Sequence, residues 1–223
     1  MRTPYQGVTN ILRFNWHFYV LAVVGTVIGL VVARWLGDGW WWVGLMVAFG
    51  VVLTTLVSLV VSWYVYDRSS LYSLNWLDRF GSLRDLINVH AGFDETSALL
   101  ADRFPEANLR VLDFYDPVLH TEVSILRARR AYPPYPGTER ITTTDLPLAA
   151  QSVDAIFLLL AAHEIRDVAE RVAFFRQLRR ALRPEGRIVV VEHLRDGANF
   201  FAYTIGFLHF HSRTTWFRTF TQA

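Results

Sequence analysis

The chain has 223 residues, of which 52% are hydrophobic and 19% are charged, and its mean hydropathy is +0.24. A charged share below the roughly 25% of an ordinary soluble domain excludes a disordered chain and argues against a wholly soluble one. Since the chain has no cysteine and all 22 basic residues are arginine, the composition also excludes disulfide scaffolds, thiol nucleophiles and lysine-based Schiff-base or P-loop chemistry.

The first 66 residues form the apolar part of the chain. They contain two runs without a central charge, at about 18–36 and 43–63, and each run is long enough as a helix to cross the roughly 30 Å hydrocarbon core of a bilayer. Tryptophan and tyrosine flank both runs, as they do at membrane interfaces. We therefore expect a transmembrane hairpin over residues 1–66, with a tight turn at 37–39. The alternative is a buried helix pair in a soluble core, for which little chain remains.

Small residues recur at every fourth position on both runs. They are Gly25, Gly29 and Ala33 on the first run, and Gly50, Thr54, Ser58 and Ser62 on the second. This pattern predicts close packing between the two helices, with homodimerisation as the alternative use. Because arginines precede and follow the hairpin, both termini are expected on the cytoplasmic side of the cell membrane.

The rest of the chain consists of a connecting segment, 67–85, and a domain over 86–223 in which strands and helices alternate. Buried strands are predicted at 86–90, 109–113, 141–144, 155–160 and 187–192, and helices at 97–104, at 118–130 and from Asp167. Asp167 and Glu170 fit a capping box, and the arginines of the following helix are expected on a solvated face. The alternation predicts an α/β fold, a Rossmann-like parallel sheet that binds ligands at the carboxyl ends of its strands.

Several short motifs then occur in a fixed order. They are Asp145-Leu-Pro-Leu148, Ser152-Val-Asp-Ala155, Ala162-His-Glu-Ile-Arg-Asp167, Leu178-Arg-Arg-Ala-Leu-Arg-Pro-Glu-Gly-Arg187 and Val189-Val-Val-Glu192. In this order they resemble the class I S-adenosylmethionine-dependent methyltransferases, and most closely the branch that methylates quinones and sterols. The resemblance covers about 86–195 and implies S-adenosylmethionine as the cofactor. It also implies a sheet of about five strands, because the last two strands of the family have no counterpart in this sequence.

The cofactor loop of that family, Asp-x-Gly-x-Gly-x-Gly, falls on residues 88–94. Gly92 is the retained middle glycine, His90 and Asp94 replace the outer two, and Asn88 replaces the acid. By resemblance, these four residues line the methionine end of the cofactor. Asp and His tolerate a positive φ better than most residues do, so the loop is expected to keep its course.

Three more residues correspond to cofactor contacts of the family. Asp113 ends the second strand, where the family places an acid on the ribose hydroxyls, and a plain turn aspartate is the alternative. Thr142 falls on the adenine-contacting acid, and the nearby Asp145 is expected to substitute for it.

His163 and Glu164 follow the fourth strand, at the Leu-His-His position of the family, and are the candidate catalytic residues. Methyl transfer from a sulfonium is an in-line displacement, so alignment and desolvation supply most of the acceleration. A general base matters only where the acceptor must lose a proton. A structural or cofactor-contacting role for His163 is the alternative.

A metal site on His209 and His211, with Glu192 and His193, is also conceivable from the sequence. It is disfavoured because 198–210 reads as an aromatic helix, in which positions i and i+2 point apart. We expect no metal, and we expect this aromatic segment to form a lid or pocket wall that faces the bilayer.

These observations favour a membrane-anchored methyltransferase whose acceptor is lipophilic, such as a quinone, an isoprenoid or a lipid headgroup. Its expected partners are that acceptor and membrane lipid, and no nucleic acid, because no basic cluster is interleaved with aromatic residues. The altered glycine loop keeps a second reading open: a catalytically inactive methyltransferase-like membrane protein that binds a nucleotide-type ligand or a partner. A nicotinamide-dependent reductase is a weaker reading, because the glycine pattern lies further from that fingerprint.

Overall fold

A computed structural model describes residues 2–223 and divides them into two compact units. The first unit comprises the chain up to Ser69 together with Gly197–Phe207. The second comprises Ser70–Asp196 and Leu208–Ala223.

Two long helices make up most of the first unit. They are α1 (Gln6–Leu36) and α2 (Asp38–Trp63), and a π-helical turn, Tyr64–Arg68, continues α2. Only Gly37 separates the two helices, at φ +114°, a conformation that glycine adopts with little cost. Both helices are long and apolar enough to cross a membrane. In the most apolar 18-residue stretch of each helix, 6% of the stretch is buried in α1 and none of it is buried in α2. This exposure argues against a helix pair in a soluble core, because such helices bury most of their apolar residues.

Small residues meet the neighbouring helix near the turn, and Ser62, at the other end of α2, is also buried. Ala33 of α1 is buried, and a Cβ added to Gly44 of α2 would lie 2.8 Å from the Cβ of Ala33. Around Gly25, Gly29 and Gly50, by contrast, no atom lies within 4 Å of an added Cβ. The predicted packing of these three glycines between the helices is therefore wrong. At 3.6 residues per turn, a four-residue repeat rotates by about 40° at each step, so such a stripe leaves the contact line after one or two steps.

The end of the hairpin opposite the turn is closed by Asp67. Its carboxylate accepts hydrogen bonds from the backbone N–H groups of Gly7, at 2.6 Å, and Val8, at 2.9 Å. These amides belong to the first turn of α1, where a carboxylate is favoured by the free N–H groups and the helix dipole. Gly7 permits this approach because a Cβ there would lie 2.3 Å from the Cβ of Tyr66.

The second unit is built on a five-stranded parallel sheet in the order β3-β2-β1-β4-β5. The strands are β1 (Asp85–His90), β2 (Asn108–Asp113), β3 (Glu139–Arg140), β4 (Val153–Leu159) and β5 (Leu182–Val191). This confirms the predicted α/β class with a Rossmann-like sheet. The chain runs outward from β1 to β3 and then returns to build β4 and β5 on the other side of β1. The switch point therefore lies between β1 and β4, and ligands bind at the carboxyl ends of the strands beside such a point.

Helices cover both faces of the sheet. They are α3 (Ser97–Arg103), α4 (Val123–Ala131), α5 (Val168–Ala181) and α7 (Arg213–Gln222), whereas α6 (Gly197–Tyr203) belongs to the first unit. Neighbouring strand residues enter different cores, since Ile87 packs with Phe174 of α5 and Leu86 with Leu100 of α3. Such alternation is expected where a sheet is buried on both sides.

Predicted boundaries were wrong at three elements, one of which is the fifth strand, because it begins at Leu182 rather than at residue 187. The third strand is Glu139–Arg140 rather than 141–144, because this edge strand pairs only with the end of β2 and leaves the sheet after the hydrogen bond from Ile141 N to Asp113 O. The helix predicted from residue 118 begins at Val123. The preceding residues form a turn instead, in which the Asp116 carboxylate accepts a hydrogen bond from Val118 N at 2.7 Å.

The start of α5 follows only half of the predicted capping box, because the Glu170 carboxylate accepts a hydrogen bond from Oγ1 of Thr143. One arginine of the helix also differs from the prediction. Asp167 accepts a hydrogen bond from Glu170 N at 2.8 Å and so caps the helix. Arg171, predicted on a solvated face, is fully buried and donates to the carbonyl of Ile165 at 2.7 Å and to Oγ1 of Thr219 at 3.1 Å. The prediction failed because α7 packs over this side of α5.

Candidate functional site

The predicted cofactor residues of the first loop gather at the carboxyl end of β1. Asn88 is fully buried, and its Nδ2 donates to Oγ of Ser97 at 2.8 Å and to Oγ1 of Thr96 at 3.0 Å. Asp94 accepts hydrogen bonds from the backbone N–H groups of Thr96 and Ser97, both at 2.9 Å. Asp94 therefore holds the loop against the start of α3.

Gly92 is the position of this loop at which only glycine fits. Its φ is +94°, and a Cβ there would lie 2.7 Å from Cδ2 of Tyr115. Both the backbone conformation and the close approach exclude a larger residue. This explains in physical terms why the middle glycine remains although both outer ones are replaced.

Asp113, the candidate ribose-binding acid, is buried at the end of β2 and already has partners. Its Oδ2 lies 2.7 Å from Nη1 of Arg129, and its Oδ1 accepts a hydrogen bond from Tyr115 N at 3.0 Å. The Arg129 guanidinium also donates to the carbonyl of Gly92 at 3.1 Å and lies 4.3 Å from the centroid of the Tyr115 ring. Sequence reasoning missed Arg129, because nothing in the run of arginines on α4 indicates which one reaches Asp113.

Three buried polar atoms beside this loop have no hydrogen-bond partner among the described residues. They are Oδ1 of Asn88, Nε2 of His90 and the hydroxyl of Tyr115. Burial lowers the pKa of His90 despite the nearby carboxylates of Asp113 and Asp94. Since Gly92 N donates to Nδ1 of the neutral ring at 3.2 Å, Nε2 carries the unused proton. An unpaired buried polar atom costs about 1–3 kcal/mol, so three in one place fit a polar ligand that would satisfy them.

Thr142 and Asp145 lie after β3 and are exposed. Oγ1 of Thr142 accepts a hydrogen bond from Asp145 N at 3.2 Å. The two residues form a surface turn rather than a buried site.

The candidate catalytic residues lie in a short 3-10 helix, Ala162–Glu164, directly after β4. Glu192, which follows β5, holds this turn in place. Its Oε1 accepts backbone hydrogen bonds from Ala162 at 2.6 Å and His163 at 3.2 Å, and its Oε2 lies 2.6 Å from Nδ1 of His163.

His163, Glu164 and Glu192 form a second cluster of polar side chains. The structure adds His209 and Glu122 to this second cluster, where sequence reasoning did not place them. Nε2 of His209 lies 3.4 Å from Oε1 of Glu164, and Nδ1 of His209 lies 2.9 Å from Oε1 of Glu122. Nε2 of His163 lies 3.4 Å from the same Glu164 oxygen. His209 was considered together with His211, but Nε2 of His211 instead lies 3.1 Å from Nη1 of Arg171. No sequence pattern indicated these contacts, because His209 lies more than 40 positions from both Glu164 and Glu122.

The carboxylates change the protonation of this cluster. Burial by itself would lower the pKa of His163, but Glu192 and Glu164 outweigh it and raise the pKa to about 10. Burial would likewise raise the pKa of Glu164, yet its hydrogen bonds with His163 and His209 hold that pKa well below the usual range. At neutral pH the pair is therefore an imidazolium and a carboxylate, and His163 can act as a base only after losing this proton.

Comparisons with known proteins agree with this geometry. Residues 88–190 match the family model described as a methyltransferase domain. No curated protein sequence has a significant match to this chain. Among solved structures, a candidate O-methyltransferase from Nostoc punctiforme aligns with a TM-score of 0.50 at 14% identity, over 96% of this chain and 66% of that one. The sheet unit has the class I methyltransferase fold.

Two further solved structures are similar to parts of the chain. An S-adenosylmethionine-dependent methyltransferase from Mesorhizobium loti is 25% identical with a TM-score of 0.38, over 56% of this chain and 55% of that one. A geranyl diphosphate C-methyltransferase from Streptomyces coelicolor, solved with Mg²⁺, geranyl diphosphate and S-adenosyl-L-homocysteine, is 14% identical with a TM-score of 0.49, over 73% of this chain and 62% of that one. The chain thus spans about two thirds or less of the length of these three proteins.

The matched methyltransferase segment includes every site residue that the sequence predicted, from Asn88 to Glu164. It does not include Glu192 or His209, which complete the second cluster, nor the two apolar helices.

Proposed function

We propose that this protein is a membrane-anchored, S-adenosylmethionine-dependent methyltransferase that acts on a lipophilic small molecule or a lipid. The observation that carries the proposal is the set of unsatisfied polar atoms at the strand ends of a methyltransferase fold. The Asn88 and His90 atoms lie on the segment that corresponds to the cofactor loop of the methyltransferases, and Tyr115 lies beside it, just after β2. Their donors and acceptors suit the polar methionine and ribose parts of that molecule.

In this proposal, Asn88, His90, Gly92 and Asp94 hold the methionine end and Asp113 holds the ribose hydroxyls. Thr142 and Asp145 are proposed to lie beside the adenine. The bound cofactor supplies a methyl group made electrophilic by the positive sulfur. Because Asp113 is paired with Arg129, cofactor binding has to exchange this partner for the two hydroxyls.

His163 and Glu164 are proposed to face the methyl acceptor. An in-line methyl transfer depends mainly on alignment of the attacking atom and on exclusion of water. The two side chains are 10% and 9% exposed and are held by Glu192 and His209, so they are oriented before a substrate arrives. For an acceptor that must lose a proton, His163 is proposed as the base once the imidazolium has lost its own proton.

The apolar helices and the segment Gly197–Phe207 support the membrane part of the proposal. In the first unit, Oγ of Ser58 on α2 donates to the carbonyl of Ala202, and the hydroxyls of Tyr66 and Tyr203 lie 2.8 Å apart. The aromatic segment thus packs with the helices that expose their apolar side chains. A lipophilic acceptor partitions into the bilayer, where a tethered enzyme meets it at high local concentration.

Calorimetric titration of the detergent-solubilised full chain with S-adenosylmethionine tests the cofactor assignment. We expect saturable binding that is weakened at least tenfold by Asp113→Asn, because the amide loses the charge-assisted bonds to two hydroxyls. Asp102→Asn, an exposed acid on α3, is the matched control and should bind like the wild type. Absence of binding at millimolar S-adenosylmethionine would contradict the proposal that the protein is a methyltransferase.

The pairing of Asp113 with Arg129 also favours a second candidate, an inactive methyltransferase-like protein that binds another nucleotide-type ligand or a partner. This candidate predicts that the same titration gives no heat with S-adenosylmethionine.

A further inference from the structure

Three metal-binding side chains meet at the carboxyl end of β4. His163, Glu164 and His209 each offer one donor atom, and no two of these atoms are more than 4.8 Å apart. Oε1 of Glu164 lies 3.4 Å from Nε2 of His163 and 3.4 Å from Nε2 of His209. Two donors at about 2.1 Å from a tetrahedral zinc ion are about 3.4 Å apart, so both separations match such an ion.

A second carboxylate engages the other nitrogen of each imidazole. Nδ1 of His163 lies 2.6 Å from Oε2 of Glu192, and Nδ1 of His209 lies 2.9 Å from Oε1 of Glu122. Histidines that bind metals usually donate their other N–H to a carboxylate, which fixes the tautomer and the ring orientation. When the His163 ring is neutral and donates its Nδ1 proton to Glu192, its Nε2 keeps a lone pair on the side of Glu164. Nδ1 of His209 is shared between the Glu122 carboxylate and the Arg166 guanidinium.

The cluster carries excess negative charge whenever both imidazoles are neutral, as metal binding requires. Glu122, Glu164 and Glu192 contribute three negative charges, and Arg166, which contacts the ring and the carbonyl of His209, contributes one positive charge. Two negative charges therefore remain when both imidazoles are neutral. The side chains of Glu164 and Glu192 are 9% and 3% exposed, so water screens these charges poorly. Protons on the imidazoles balance the charges without a metal, and a bound dication would take the place of those protons.

We propose that His163, Glu164 and His209 bind one divalent transition-metal ion, with Glu192 and Glu122 as the residues that orient the two imidazoles. Two imidazoles and one carboxylate suit Zn²⁺ and its first-row neighbours, whereas Ca²⁺ and Mg²⁺ prefer sites made of oxygen atoms. Three protein ligands leave at least one coordination position open. Where the proposed function holds, that position is available to an oxygen atom of the methyl acceptor, but the metal site itself does not depend on it.

Titration of the detergent-solubilised full chain, freed of metal by chelation, tests this inference. We expect one equivalent of Co²⁺ to bind with the visible absorption bands of a low-coordinate site, and Zn²⁺ to displace it. Glu164→Gln and His209→Ala should each weaken Co²⁺ binding by at least about tenfold. Glu122→Gln changes only an orienting group and should weaken binding by about 10–100-fold.

His17→Ala is the matched control, because it removes an imidazole from α1 and should leave Co²⁺ binding unchanged. Far-ultraviolet circular dichroism establishes that each variant is folded. The proposal is overturned if less than one equivalent binds at millimolar Co²⁺, or if folded Glu164→Gln and Glu122→Gln proteins both bind like the wild type. Titration of the same samples with S-adenosylmethionine separates the two proposals. Metal binding without cofactor binding would contradict the proposed methyltransferase function but not the metal site.

Discussion

Under the proposed function, Arg129 and the cofactor ribose compete for the Asp113 carboxylate. The guanidinium is held by Asp113, by the Gly92 carbonyl and by the Tyr115 ring, yet a quarter of its side chain is exposed. Because Arg129 is a quarter exposed while Asp113 is only 4% exposed, the pair lies between a surface ion pair, worth about 1 kcal/mol or less, and a buried one. Under the proposed function, the need to break this pair lowers the affinity of the site for the cofactor.

We predict that Arg129→Ala tightens S-adenosylmethionine binding by up to about fivefold, because the ion pair no longer has to be broken. Calorimetric titration measures this change. Arg130→Ala, an exposed neighbour on α4, should leave the affinity unchanged. Weaker binding by Arg129→Ala would instead mean that Arg129 contacts the cofactor.

Arg171 is the buried residue whose loss should affect stability most clearly. It is fully buried and joins the Ile165 carbonyl, the Thr219 hydroxyl and the His211 ring. We predict that Arg171→Ala lowers the free energy of unfolding by about 3 kcal/mol, because it leaves a cavity and three unpaired groups. Arg179→Ala, on the exposed side of α5, should change it by less than about 0.5 kcal/mol. Thermal unfolding measures both variants. If Arg171→Ala and Arg179→Ala lowered the free energy of unfolding equally, the buried contacts of Arg171 would not stabilise the fold.

At the scale of elements, Asp154 ties together the amino ends of three strands. Its carboxylate accepts hydrogen bonds from Arg84 N and Asp85 N at 2.8 and 2.9 Å, and Arg183 of β5 bridges Asp154 and Asp85 at 2.6 and 2.7 Å. Burial would raise the pKa of Asp154, but these bonds outweigh it and lower the pKa below its ordinary value of 3.8. The ionised carboxylate thus holds β1, β4 and β5 in register.

Because the pKa of Asp154 is lower in the folded chain than in the unfolded one, its ionised carboxylate adds to the free energy of unfolding above pH 3.8. This contribution is lost as the pH falls through the folded-state pKa, because the unfolded chain binds the proton more readily. We expect Asp154→Asn to lower the free energy of unfolding by about 1 kcal/mol at neutral pH. The difference from the wild type should shrink as the pH falls below 3.8 and through the lower pKa of the folded state. Unfolding curves at several pH values measure this, and a difference that does not change with pH would contradict the assignment.

At the scale of the whole molecule, the two exposed apolar helices predict that the chain partitions into membranes. We expect the full chain to resist alkaline carbonate extraction. Val52→Arg should reduce insertion, because a charge at the centre of a transmembrane helix costs about 2.5–3.5 kcal/mol. Val118→Arg places the same charge on an exposed valine of the second unit and is the control. Recovery of the wild type as a monodisperse protein without detergent would contradict anchoring.

The hydrophobic pattern alone was enough to predict the two long helices and the alternating strands, because burial in a bilayer or in a two-sided sheet demands unbroken apolar runs. The same pattern located Asp113 and His163 at strand ends, since the end of an apolar run marks the end of a buried strand, whereas Asn88 was selected by the resemblance to the methyltransferase loop. It did not locate the edge strand β3, which is two residues long and only partly buried. Short edge elements lack the burial that leaves a pattern in the sequence.

The tertiary structure alone decided which polar groups meet. Arg129 reaches Asp113, Arg171 is covered by α7, and His209 joins His163 and Glu164, although each of these pairs is separated by at least 16 positions in the chain. Local sequence determines burial and capping, because these depend on neighbouring residues and on periodicity. Contacts between distant side chains depend on how strands and helices pack in three dimensions, and no local pattern records them.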